Sequence, residues 1–147
     1  MSIAQQLNTA MKEAMKSRQS ERLGVIRLIR SAIKNVEIDK KIAMTDADII
    51  AVMSTLVKQR RESAKIYREN ERVDLAEKEE REIEVLQEFL PQQLSEEELQ
   101  QLIEATITEI GATSMKEMGA VMKKVTPQTV GRADGRLVSE IVKRCLS

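Results

Sequence analysis

The chain of 147 residues contains no histidine, no tryptophan, one tyrosine, one phenylalanine and one cysteine. Without histidine, no imidazole general base and no Ser-His-Asp or Cys-His arrangement can be assembled. A single cysteine leaves no CxxC pair, no zinc set and no disulfide within the chain, which fits a reducing compartment. So few aromatic residues argue against reading bases by aromatic stacking, and they require a core of Leu, Ile, Val, Ala and Met. Formal charge is zero, with 24 basic and 24 acidic residues, so any nucleic-acid footprint must come from local clustering. The stretch Met1–Ala14 has no uninterrupted apolar run, so it reads as neither signal peptide nor membrane span, and the expectation is a cytoplasmic protein. No glycine loop has P-loop or Rossmann spacing.

What is present is helical periodicity. With 41% apolar and 33% charged residues, the composition is that of a globular chain with a highly charged surface. Ile3, Leu7, Ala10, Met11 and Ala14 recur at helical spacing, and Ser17 to Ser20 breaks that helix, either serine being able to cap the next. From Glu21 to about Asp39 a wide stripe of Val25, Ile26, Leu28, Ile29, Ala32, Ile33 and Val36 predicts a central helix with more than one neighbour. Thr45–Asp48 resembles a capping box and opens a long helix, which Asn70, suited to the left-handed conformation, ends. A fourth helix runs from about Val73 to Phe89 until Pro91 stops it. Three shorter ones follow: from a capping box at Ser95 to Gly111, from a second at Ser114 to Thr126-Pro127, and from Asp134 onward. Nothing alternates with period two for long enough to make a strand. The fold expectation is all-α, an N-terminal helical domain over residues 1–91 and a C-terminal three-helix domain over residues 95–147.

Two features carry possible chemistry. Gly131-Arg132-Ala133-Asp134-Gly135-Arg136 precedes the last helix, with Asp134 placed to cap it and Arg132 and Arg136 flanking its N-terminus, where an anion is favoured. The same residues also read as a capped turn with two solvated arginines. The second feature is cationic striping. Lys58, Arg61, Lys65, Arg68 and Arg72 follow one another at spacings of three and four, and Arg27, Arg30 and Lys34 occupy the narrow polar face of the second helix. Glu62, Glu69 and Glu71 stand close enough to pair with the first stripe, which would make it a solvated, salt-bridged face. Cys145 lies on the apolar side of the last helix and reads as a buried thiol. Met115, Met118 and Met122 read as core filler, and acidic pairs such as Asp46/Asp48 and Glu79-Glu80 lack EF-hand spacing. No catalytic residue, metal ligand or cofactor is indicated.

A resemblance runs through the chain. Ile26-Arg27-Leu28-Ile29-Arg30-Ser31-Ala32-Ile33-Lys34-Asn35, Lys58-Gln59-Arg60-Arg61-Glu62-Ser63, Asp74-Leu75-Ala76 with Glu79 and Glu82-Ile83, Leu90-Pro91, Gln93–Leu99, Met118-Gly119 and Gly131–Val138 together resemble the YqeY family. Its C-terminal domain is similar to the tail of the GatB subunit of glutamine-dependent tRNA amidotransferase. Asn70, where glycine is common, and Arg136, where lysine is, depart from the pattern. The resemblance implies a bundle of about four helices followed by a three-helix domain, and a tail that contacts tRNA. It supplies no catalytic residue, because amide transfer belongs to a separate domain with no counterpart in this sequence. The expectation is therefore a non-catalytic tRNA-binding module. Arg132, Arg136, Lys123 and Lys124 would meet phosphates, with Lys58, Arg61, Lys65, Arg68, Arg27, Arg30 and Lys34 as a second surface. One alternative is an adaptor that docks an amidotransferase subunit or another translation-related protein. A weaker one is participation in carbon–nitrogen ligation with glutamine as amide donor.

Overall fold

A computed structural model describes residues 2–147; Met1, the first residue of the N-terminal stretch read above, lies outside them. The described residues form seven α-helices and no strand: α1 Ile3–Lys16, α2 Ser20–Lys40, α3 Asp46–Glu69, α4 Val73–Glu88, α5 Glu96–Ile110, α6 Met118–Thr129 and α7 Gly135–Leu146, with a 3-10 turn at Met115–Glu117 before α6. They divide into two compact units, one ending at Leu90 and the other running Pro91–Ser147.

In the first unit α2 packs on α1, α3 and α4, as its wide apolar stripe requires. Leu7, Ile26, Ile29, Ile49, Met53 and Leu86 are its fully buried large side chains, each contributing roughly 1.5–3 kcal/mol by leaving water. Leu28, read from the sequence as part of that stripe, is instead 42% exposed, since no neighbouring helix covers its edge. Arg22 and Glu21 tie α2 to α4 through Glu88 and Arg81.

Helix ends follow local chemistry. Ser2 and Gln5, and Thr45 and Asp48, close reciprocal capping boxes on α1 and α3. The turn before α2 is made differently from expectation: neither Ser17 nor Ser20 caps, Gln19 holds the N-cap position without a side-chain bond, and Arg18 takes a left-handed φ of 55°. The break after α3 falls at the expected place, but Glu71 (φ 58°), not Asn70 (φ −101°), is its left-handed residue. Asn70 instead donates both its backbone N–H and its side-chain amide to the Ile66 carbonyl, at 3.1 and 2.8 Å, closing the last turn of the helix.

The second unit buries Leu99, Ile103, Val121, Val125, Val138, Ile141, Val142 and Leu146 where α5, α6 and α7 meet. Ser95 caps α5 with Glu98, and Gly111 ends it with a φ of 75°. Ser114 makes no side-chain cap; Glu117 reaches the Thr113 amide, and a 3-10 turn replaces the expected first turn of α6. Nor does α6 stop at Thr126-Pro127. It continues to Thr129, because Val125 and Thr129 are buried and hold its last turn to the core. Around the bond that Pro127 cannot make, Thr126, Gln128 and Thr129 donate side-chain hydrogen bonds to the carbonyls of Met122, Lys124 and Val125, at 2.6, 3.1 and 3.2 Å.

Candidate nucleic-acid interface

The loop between α6 and α7 is built from backbone outward. Gly131 is buried and has a φ of 76°, a conformation that side chains disfavour, so the chain can turn inward there. Asp134 caps α7 by accepting from the Arg136 amide at 3.2 Å. The turn binds the segment that precedes α5. The Leu94 amide donates to the Arg132 carbonyl at 2.8 Å, and Gln93 Nε2 donates to the Gly131 carbonyl at 2.6 Å. The Arg132 guanidinium completes the arrangement through Nε to the Gln92 carbonyl at 3.2 Å, with a longer reach to the Gln128 carbonyl at 3.5 Å. Residues 91–94 thus lie as a strap on this loop, and Arg132 is one of its fasteners. Arg136 is exposed, and its side chain makes no ion pair or hydrogen bond among the described residues. On α6, Lys123 is exposed without a partner, whereas Lys124 pairs with Glu109 of α5.

In the first unit, Arg27, Arg30 and Lys34 all stand exposed on one face of α2. That face forms a wall of an open groove of about 760 Å³ against α1, whose side brings Ala4, Asn8 and Met11. Leu7 and Ile33 supply an apolar floor, and Glu37 lies at one end. Arg30 donates a guanidinium N–H to the Met11 sulfur, a weak acceptor, so its remaining donors are uncommitted. Arg27 and Lys34 have no charged partner among the described residues.

The stripe on α3 is more heavily engaged. Arg68 forms a bidentate pair with Glu80 of α4 at 2.8 and 2.9 Å, and that hydrogen bonding holds the Glu80 carboxyl below its usual range. The partner comes from the facing helix and not from Glu62, Glu69 or Glu71. Arg72 stands 3.7 Å from Asp74. Lys58 and Lys65 are exposed without partners, and Arg61 is half-buried and engaged. Arg60, outside the expected stripe, is half-buried against Glu82 at 3.2 Å and the Leu56 carbonyl. Next to it, burial and the neighbouring Glu82 push the Glu79 carboxyl up. Cys145 is half-buried, and burial raises its thiol. Among the described residues no cluster of three or more His, Cys, Asp or Glu could hold a metal ion, and no helix is long and apolar enough to cross a membrane.

The structure therefore places Arg27, Arg30 and Lys34 together on a groove and leaves Lys58, Lys65, Lys123 and Arg136 available. It commits Arg68, Lys124 and Arg132 to internal partners. Asn8 and Ser31 share the groove; Ser31 stands in the sequence only as part of the resembling stretch and Asn8 has no signal at all, since neither gains a role until α1 is laid beside α2.

Comparison with known proteins gives a family and several relatives. The family described as Yqey-like protein matches residues 4–146. An uncharacterized protein of Schizosaccharomyces pombe is 36% identical over 83 residues, covering 56% of this chain and 68% of the relative. The "Altered inheritance of mitochondria protein 41, mitochondrial" of Vanderwaltozyma polyspora is 38% identical over 85 residues, and that of Lachancea thermotolerans 38% over 89 residues. Each match takes in 57% and 58% of this chain respectively, and 46% of the relative, so the chain spans about half the length of those yeast proteins.

Proposed function

The chain belongs to the Yqey-like protein family, and from that premise we propose that it serves as a non-catalytic RNA-binding module with tRNA as its partner. The observation that carries this reading is the set of exposed cations without internal partners in a chain of zero net charge: Arg27 and Lys34 on the α1–α2 groove, Lys58 and Lys65 on α3, Lys123 and Arg136 in the second unit. Cations held in internal pairs offer little to a phosphate, whereas these keep their donors and charge for a polyanion. Four to six such contacts correspond to roughly micromolar, strongly salt-dependent binding with little base specificity. The resemblance to the amidotransferase tail directs the choice of tRNA over other RNAs.

The test is a titration of the full chain with tRNA over a range of salt. Binding should weaken steeply as salt rises, and the double variant Arg27→Glu, Lys34→Glu should lower affinity at least about tenfold with an unchanged unfolding midpoint. No binding at low salt, or binding indifferent to salt, sinks the proposal. An adaptor role is the second reading, favoured by Ile38 and Ile42, which are 62% and 52% exposed. A protein partner that remains bound after nuclease treatment would support it. Glutamine-dependent amide formation by the purified chain would overturn the non-catalytic reading altogether.

A further inference from the structure

We propose that the groove between α1 and α2 receives a single unpaired nucleotide of a bound RNA, its phosphate on the cationic wall and its base on the apolar floor. The inference rests on the RNA-binding reading above and deepens it, because it names what part of an RNA this groove takes.

The shape argues for a nucleotide and against duplex backbone alone. A duplex presents a convex surface of phosphates, which a ridge of lysines would meet as well as a groove. Here the cations border a concavity of about 760 Å³, within the size range of small-ligand sites. Its floor, Leu7 and Ile33, is apolar. Leu7 and Ile33 are themselves already buried, so the apolar surface left to cover is that of Ala4, the half-buried Met11 and the stems of Arg27 and Arg30, and an unpaired base is a flat body that can cover it.

The groove is also polarised. α1 and α2 are joined by the short turn at 17–19, so they run in opposite directions, and the Arg30–Met11 contact sets their register. Arg27 and Arg30 therefore lie toward Met11, while Glu37 lies about 10 Å farther along α2, toward Ala4. Phosphate is attracted to the arginine end and repelled at Glu37. Facing the base, the Glu37 carboxylate accepts hydrogen bonds, and Asn8, exposed and without an internal partner, offers both a donor and an acceptor. That combination suits the edge of guanine, whose adjacent N1–H and N2–H2 donors match a carboxylate while its O6 accepts from an amide. With no aromatic side chain among the described residues that line the groove, ring stacking adds nothing, and selectivity falls to the base edge.

The experiment compares a labelled single-stranded RNA octamer with a blunt RNA duplex of equal phosphate count, on the full chain and on two variants that fill the groove without changing its charge. Ala4→Leu and Ser31→Leu both alter exposed helix positions and add no ring on which a base could stack, and an unchanged unfolding midpoint for at least one of them qualifies it for the comparison. The expected result is an about tenfold loss of octamer affinity in the filled variant, with duplex affinity changed less than about twofold. Guanosine monophosphate should shift the backbone amide resonances of Asn8 and Ser31 in the wild-type chain and not in the filled variants. If RNA binds but octamer and duplex respond alike to filling, the nucleotide inference falls and the RNA-binding reading stands. If neither RNA binds the wild-type chain, both fall. A hexaglutamate peptide that shifted the groove resonances in that case would assign the groove to an acidic protein segment.

Discussion

Arg27 and Arg132 look equivalent in the sequence, each between small or apolar residues with a second arginine three or four positions on, yet the two units use them in opposite ways. Arg27 stands in the middle of α2, where neighbouring carbonyls already accept helical hydrogen bonds, so its guanidinium has nothing nearby to satisfy and stays exposed. Arg132 follows the end of α6, where the chain turns at Gly131 and the Gln92 and Gln128 carbonyls lie within reach. Backbone acceptors without ladder partners recruit donors, and an arginine beside them is drawn into the fold. The difference teaches that a cation beside carbonyls left free at a turn is drawn inward, whereas one on a continuous helix is held only where a facing helix brings a carboxylate, as Glu80 does for Arg68 and Glu109 for Lys124. Glycine-rich turns that resemble anion sites are thus also the places where arginines are most needed internally.

That contrast can be broken at several levels. The largest effect should come from the core of the second unit, where Ile141 is fully buried. Ile141→Ala should cost about 2–5 kcal/mol, and amide resonances of α5–α7 should lose dispersion at lower denaturant than those of α1–α4. Uniform loss across the chain would show that the units do not differ in this way. Next, Arg132→Ala should lower the stability of the second unit by about 1 kcal/mol, since carbonyls lose their donor. Arg136→Ala should leave stability within about 0.5 kcal/mol while reducing the salt slope of RNA binding by about one. Paired denaturation and salt titrations of the two variants would invert these roles if the comparison is mistaken.

Smaller effects probe the first unit. Glu71→Gly should raise stability by up to about 1 kcal/mol, because glycine takes the left-handed conformation without penalty. Thermal unfolding would check it. The smallest effect concerns pH. The Glu80 carboxyl is lowered by Arg68, so its contribution is present above its unfolded pKa and is lost as pH falls through its folded one. Glu79 is raised by burial, so its cost is present at neutral pH and is relieved as pH falls through its raised value. Glu79→Gln should therefore be slightly more stable than wild type at pH 7, with the gap closing on acidification. Glu80→Gln should be slightly less stable at pH 7, its gap also closing. Gaps independent of pH would refute both assignments.

Much of the helical architecture was legible because it is written locally. Periodicity located the helices, and Thr45, Ser95, Gly111 and Asp134 act at the ends their residue types suggest. Legibility failed where a distant group decides. Pro127 stays within α6 because Thr129 is buried two residues later, a tertiary term that outweighs the lost hydrogen bond. Ser114 is a local exception: it loses its capping role because Glu117 bonds the Thr113 amide instead. Arg68 pairs with Glu80, twelve residues away across a helical hairpin, and no spacing rule within one helix could reveal that. The candidate site was legible as a list of cations but not as a division between engaged and available ones. That division depends on which carbonyls and carboxylates folding brings alongside.

The strap of residues 91–94 has a consequence for dividing the gene. A fragment that begins at Ser95, where the capping box announces the next helix, would discard the Leu94 amide, the Gln93 side chain and the Gln92 carbonyl. It would present the loop at Gly131–Arg132 stripped of its covering, and Arg132 would then offer an anion a donor that the intact chain spends on the Gln92 carbonyl. A fragment cut just before Pro91 carries its own cover and would report the native surface.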